Sequence, residues 1–319
     1  FKITLALSFI LAGIFMLGFS KAFFGDYKRA FAVTIFYQYM PFRLIEVLIR
    51  GSFGEVYTYV FLPLVLWGLT LIFKKIYYKY IAVTSLATAL LVISHNAISL
   101  VFFGICMAFI IFFGKNIRNY VVGIASLFLG LLLSSFYWVP ALLERKYTYG
   151  DLFMKNVYLS HFPPIQNFFV PNFFNNIGFQ TGGISVQFGL FHIIAFATSL
   201  FALFSFNKIE SKLKKLLIFS LLIFAISLFM MQPISSPMWA NIALLRQFQF
   251  PWRFLSVSGF ALSLLSVFIF RYKFFLKNLV YVSLLFLVTF STAYYWKPQL
   301  GLDKINENYY WNFPLNTTY

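Results

Sequence analysis

Apolar runs of about 15–20 residues recur from one end of this chain to the other, separated by short polar gaps. A bilayer core asks for about 20 apolar residues per helix. Inside lipid the backbone must satisfy its own hydrogen bonds, which a helix does within a single segment. Composition agrees: 10% of the residues are charged, where a soluble domain keeps about a quarter. The expected fold class is all-α, a polytopic helical membrane protein with residues 1–319 forming one integral membrane domain.

Ten spans are expected, at about 3–20, 30–42, 56–73, 80–94, 97–113, 120–139, 188–206, 216–232, 253–270 and 278–294. The run from Ile81 to Phe113 is the delicate one. As one helix it would be about 50 Å long, well beyond a core of about 30 Å. It would also put "KKIYYK" and "KNIR" on opposite faces. A break at Ser94-His95-Asn96 gives two spans and returns both basic loops to one side.

With that break, 15 of the 25 Lys and Arg residues fall in five short loops on one face. Short loops dense in Lys and Arg are cytoplasmic. The long loop from Pro140 to Gln187 and both ends of the chain are then extracytoplasmic. Of the acidic residues, Asp26 and Glu210 lie inside, and Glu46, Glu55, Glu144, Asp151, Asp303 and Glu307 outside. Chemistry on the outer face is one account of that bias, and ordinary loop solvation is another.

The net charge of +17 would point to nucleic acid in a soluble chain. Here the basic residues sit between apolar runs, where they set orientation and meet anionic lipid, so nucleic acid is not the expected partner. The lone Cys106 excludes an intramolecular disulfide. No Gly-rich phosphate loop and no paired-Cys spacing is present, and His95, His161 and His192 are dispersed, so neither metal nor cofactor is expected. The sequon Asn316-Thr317-Thr318 carries little weight by itself. The first run, "ITLALSFILAGIFMLGF", lacks a basic n-region and a small-residue cleavage site, so it does not read as a signal peptide. With Phe1 in place of Met, the chain reads as an N-terminally truncated fragment.

Charge is rare here, so its clustering is informative. "PFRLIEVLIRGSFGEVYTYVFLPL" places Arg43, Glu46, Arg50 and Glu55 within thirteen positions. Arg43, Glu46 and Arg50 share a helix face, and Gly51 and Gly54 then let the chain turn. An unpaired charge inside a membrane costs about 2.5–3.5 kcal/mol on insertion scales. Pairing Glu46 with Arg50 and Glu55 with Arg43 would relieve that cost. The stretch reads either as a self-neutralised interfacial turn or as an anion site, because arginine forks match phosphate oxygens.

A second cluster, "LLRQFQFPWRFL", offers Arg246, Gln247, Gln249, Trp252 and Arg253, with Pro251 at a helix start. It suits an interfacial Trp/Arg belt as well as a phosphate site. "SHN" at Ser94–Asn96 is either a satisfied hairpin tip or a His general base or phosphate donor facing an outer cavity. The long loop, "HFPPIQNFFVPNFFNNIGFQTGGISVQFG", mixes aromatics with amides. That mixture suits sugars and also suits a segment lying on the membrane surface.

Taken together, "YQYMPFRLIEVLIRGSFGEVYTYVFLPLVLWGL", "LVISHNAISL" and "QFQFPWRFL" resemble the bacterial membrane family labelled 6-pyruvoyl-tetrahydropterin synthase-related, from roughly Tyr27 to Tyr295. Soluble pterin synthases hold zinc through three histidines, an arrangement the sequence does not show. The resemblance implies an architecture similar to the C-type glycosyltransferases. Those are multi-pass enzymes that use a polyprenyl-phosphate sugar donor at the extracytoplasmic side of the bacterial cell membrane. It brings forward Arg50 and Glu55 of "RGSFGE", His95 and Asn96 of "SHN", and Arg253 of "FPWRF". Such enzymes usually carry an acidic catalytic residue in the first extracytoplasmic loop, which is expected to precede Phe1.

Two functions are therefore expected as alternatives. In a lipid-linked glycosyltransferase, Glu55 and His95 are the catalytic candidates. Arg43, Glu46, Arg50, Asn96, Arg246, Gln249, Trp252 and Arg253 are the candidates for binding a polyprenyl-phosphate lipid or lipid-linked sugar. In a non-catalytic protein the same lipid is held, moved or used for scaffolding. A ligand site further requires Arg50, Glu55, His95, Arg246 and Arg253 to converge on one cavity beneath the aromatic loop of Phe162–Phe188.

Overall fold

Helix boundaries fall where apolar runs give way to polar capping residues. Asp26 accepts from the backbone N–H groups of Lys28 and Arg29, Asn116 from that of Asn119, and His95 Nδ1 from that of Ile98. Each satisfies a donor that a helix start leaves orphaned. The computed structural model describes residues 2–148, 156–170, 185–246 and 248–296, with 308 and 311. Among them the chain is all-helical, without a strand.

The main helices are α1 (Lys2–Phe24), α2 (Tyr27–Gln38), α3 (Pro41–Arg50), α4 (Phe53–Lys74), α5 (Tyr78–Ser94) and α6 (Asn96–Phe113). They continue with α7 (Ile117–Leu133), α8 (Ser135–Tyr147), α9 (Leu190–Phe204), α10 (Ser211–Met230), α11 (Pro251–Arg271) and α12 (Asn278–Phe290). Five of them (α1, α4, α6, α10 and α11) are long and apolar enough to cross a membrane. The number is up to seven if each of the bent pairs α2/α3 and α7/α8 is one span. The remaining apolar helices, α5, α9 and α12, are shorter.

Each of the ten predicted segments coincides with helix, but two of them bend. The segment at 30–42 breaks by 50° between α2 and α3. Pro41 disfavours helical backbone at Met40, whose ψ is 130°. The segment at 120–139 bends by 67° between α7 and α8, at Ser134. The predicted break at Ser94–Asn96 is present, with His95 extended between α5 and α6.

The surface is apolar and much of the buried polarity is small. Phe204, Leu279, Ile117 and Phe136 are largely exposed on their helices. α11 is buried along its length up to Phe270 and contributes Ser256, Ser258 and Ser263 to the interior. Ser258 on α11 meets Ser227 on α10 at 2.7 Å, and small hydroxyl residues of this kind let membrane helices approach closely. An apolar exterior of this extent suits contact with lipid, and the five to seven long apolar helices suggest a multi-pass membrane protein.

α4 runs beside α1 and α5, α5 beside α7, α10 beside α11, and α12 beside α2. The five basic loops gather at one end of this bundle. Lys212 donates to the Phe23 carbonyl, Lys28 to the Leu276 carbonyl and Asn278, and Arg271 to Ser205. Lys74, Lys115, Lys212 and Lys215 line one cavity there. Glu55 and Lys74 stand near opposite ends of α4, about 28 Å apart at 1.5 Å per residue. The acidic and arginine-rich motifs therefore occupy the other end.

Candidate functional site

Local sequence brings the first two charges together. α3 begins as an α-helix at Pro41 and widens to a π-helical turn over Glu46–Arg50, a form common at functional sites. Arg50 pairs with Glu46 one turn back. Gly51 then adopts φ 58°, a left-handed conformation open to glycine, and ends α3. Gly54 does not share that turning role. It lies in the first turn of α4, where a Cβ would meet the Ser94 carbonyl oxygen at 2.5 Å and the His95 ring at 3.3 Å. Its missing side chain lets the α5–α6 joint reach α4.

That approach places three segments on one carboxylate. Glu55, 1% exposed, accepts from Arg50 through Nη1 at 3.1 Å and Nη2 at 3.3 Å. It also accepts from Arg253 Nε at 3.1 Å, and Arg253 Nη2 forms an ion pair with the same oxygen at 3.0 Å. His95 Nε2 lies 3.7 Å from the same Oε1. Three of these four guanidinium contacts, and His95, fall on Oε1, while Oε2 receives Arg50 Nη1. His95 stands between helices and outside the spans. Burial lowers its pKa below the ordinary 6.5 more than the Glu55 charge raises it.

The motif around Arg253 is built by α11's entry. Pro251 occupies the first turn of a 3₁₀ segment over Pro251–Phe254 that leads into the α-helix. Gln249 takes φ 62°, uncommon for a residue with a side chain. Arg253 Nη1 donates to the Phe248 carbonyl at 2.6 Å and approaches Gln249 Oε1 at 3.5 Å. Trp252 stacks on Phe250, centroids 5.0 Å apart and 8° from parallel. Arg50 lies 4.7 Å over the Trp252 ring, and Arg253 lies 5.0 Å from the Phe250 centroid. Each guanidinium is held by a carboxylate and an aromatic ring at once.

Arg43 departs from its expected partner. It does not pair with Glu55, because Arg50 and Arg253 occupy that carboxylate. Instead it is wholly buried and donates through Nη1 to Gln38. Phe9, Tyr37 and Tyr59 surround its guanidinium at 4.8–5.8 Å. A ring of π-faces offsets a buried cation where no carboxylate is available.

Of the predicted site residues, Glu46, Arg50, Glu55, His95, Gln249, Trp252 and Arg253 form one contiguous cluster. Arg246 stands on the short helix Ala243–Arg246, without an ion pair among the described residues. Asn96 is exposed at the start of α6. Gln247 and most of the aromatic loop, residues 171–184, lie outside the described residues, as do Asp151, Asp303, Glu307 and the sequon. The loop's described start does reach the cluster, since the His161 ring packs on Phe250 at 4.7 Å between centroids.

Sequence reasoning did not single out Gln38, Tyr37, Tyr59 or Phe250. Only the density of aromatics near the arginines hinted at them. No known family's model, no curated protein and no solved structure matches the chain.

Proposed function

We propose that this is a bacterial cell-membrane protein of the 6-pyruvoyl-tetrahydropterin synthase-related kind that takes a polyprenyl-phosphate lipid, or a sugar carried on one, at the Glu55 end of the bundle. The supporting observation is the pair of guanidiniums, Arg50 and Arg253, brought from distant segments onto one buried carboxylate beside the Phe250–Trp252 stack. Arginine forks bind phosphate as readily as carboxylate. A phosphate that takes over these donors releases Glu55, and the partly exposed Phe250 ring beside buried Trp252 offers apolar surface for a prenyl chain or a sugar.

The fuller reading is a C-type glycosyltransferase-like enzyme with ten spans, acting in cell-envelope glycan assembly. The basic loops are then cytoplasmic, and the Glu55 cluster and the 140–187 loop extracytoplasmic. In that reaction the acceptor hydroxyl attacks the sugar carbon, its proton passes to Glu55 or His95, and the lipid phosphate leaves with the electron pair of the broken C–O bond. A non-catalytic lipid-holding protein is favoured by one observation: both Arg50 and Arg253 engage the buried Glu55 carboxylate, which ties it up as a structural counter-ion.

The test is binding of polyprenyl phosphate and of the uncharged polyprenol to the protein in lipid nanodiscs. The phosphate is expected to bind more tightly by a factor that falls in Arg253→Lys, which keeps the charge and loses the fork. Equal binding of both lipids by folded protein would refute the reading. Release of sugar from a polyprenyl-phosphate sugar, lost in Glu55→Gln while lipid binding persists, separates the enzyme from the holder.

A further inference from the structure

At the other end of α4 lies a cavity of about 540 Å³ that the Glu55 cluster does not touch. Its walls come from the ends of α1, α4, α6 and α10. The inner lining is aromatic: Phe23, Phe73, Phe109 and Phe113 are buried there and pack edge-on and stacked against one another. The rim is cationic, with Lys74, Lys115, Lys212 and Lys215 all exposed and facing a single carboxylate residue, Glu210.

The lysines have an ordinary role open to them, since cations near helix C-termini satisfy the last carbonyls. Lys212 fills that role: it donates to the Phe23 carbonyl and sits 4.3 Å over the Phe23 ring. For Lys74, Lys115 and Lys215, the described residues provide neither a side-chain hydrogen bond nor an ion pair. Three lysines on the rim of a cavity whose lining is phenyl present two chemistries side by side. A soluble anion would leave the phenyl lining unused, and an uncharged lipid would leave the ammonium groups unused. The volume falls within the range of about 300–1,000 Å³ usual for small-molecule sites.

We propose that this cavity binds a phosphate-headed amphiphile from the adjoining leaflet, an anionic phospholipid whose phosphate meets Lys74, Lys115 and Lys215 while its first apolar carbons rest on the phenylalanines. The proposal does not depend on the polyprenyl reading, which concerns the opposite end of the bundle, and either can fail alone.

The test uses the protein in nanodiscs of phosphatidylcholine with increasing phosphatidylglycerol, read by thermal shift and by native mass spectrometry of retained lipid. Phosphatidylglycerol should raise the melting temperature saturably. The triple variant Lys74→Gln, Lys115→Gln, Lys215→Gln should bind it about a hundredfold more weakly, at roughly tenfold or less per lysine near the surface. Its melting temperature in pure phosphatidylcholine reports folding independently. The control variant Lys75→Gln, Lys79→Gln, Lys273→Gln removes as much charge from the same end but outside the cavity, and should keep the shift. Equal loss in both variants would overturn the proposal in favour of diffuse attraction. Inorganic phosphate giving the full shift in phosphatidylcholine discs would overturn it in favour of a soluble anion.

Discussion

The two ends of α4 solve the problem of charge in a membrane protein in opposite ways. At the Glu55 end the charges are buried, and the carboxylates are taken up by arginine forks and the arginines by aromatic faces. At the Lys74 end the charges are exposed, separate ammonium groups around an aromatic-lined cavity. The side chains suit their places: guanidinium is weakly hydrated and forks onto carboxylates, whereas ammonium is a strongly hydrated point charge that stays at water. The first end holds its charges by pairing them with one another and with rings, and the second leaves its charge available.

The sharpest way to break this comparison is to remove one carboxylate at each end. Glu55→Ala strands two largely buried guanidiniums and is expected to cost about 3–5 kcal/mol of stability. Glu210→Ala, at an exposed position among lysines, should stay within about 0.5 kcal/mol of the parent. Reversible unfolding in mixed micelles measures both. Similar small losses would show that the Glu55 cluster is not the coupled unit its contacts imply.

A second pair of substitutions tests the close approach that assembles that cluster. In Gly54→Ala the new methyl meets the Ser94 carbonyl, a backbone atom, so the α5–α6 joint must move. The expected loss is about 1–3 kcal/mol. Gly104 on α6 has open space where its Cβ would stand, and Gly104→Ala should be neutral or stabilising by up to about 1 kcal/mol. If the two substitutions behave alike in thermal unfolding, Gly54 does not control the approach of His95 to Glu55.

The helices were legible in the sequence because the membrane writes them as long apolar runs, and the break at His95 was legible because a single helix could not fit the bilayer. The bend at Pro41 was also written in the sequence, yet the predicted span ran through it. The span assignment put Arg50, Glu55, His95, Arg246 and Arg253 at one end, where a ligand site required them to converge and a lipid-facing rim did not. Packing joins four of the five and leaves Arg246 apart. The partner of Arg43 was not legible. Counting charges assigns it a carboxylate, whereas tertiary packing gives Glu55 to Arg253, 198 positions away, and leaves Arg43 to three aromatic rings and Gln38. The lysine cavity was missed because basic loops were read only for orientation and for general contact with anionic lipid, and only the packed helix ends reveal the phenylalanines beneath them.

The smallest expected effect concerns pH and separates the ends again. His95 faces Glu55, Arg50 and Arg253, and burial lowers its pKa below 6.5. The unfolded chain therefore binds a proton at this side chain before the folded protein does. Stability contributed by the neutral ring is intact above about 6.5 and declines as pH falls from there through the lower folded value. His95→Gln keeps a polar side chain and removes this titration, so its stability should fall less between roughly pH 7 and pH 5 than the parent's. The Lys74, Lys115, Lys215 triple variant leaves His95 and its neighbours untouched at the other end and should keep the parent's pH dependence. A parent and a His95→Gln variant that lose stability in parallel on acidification would remove His95 from the cluster's energetics.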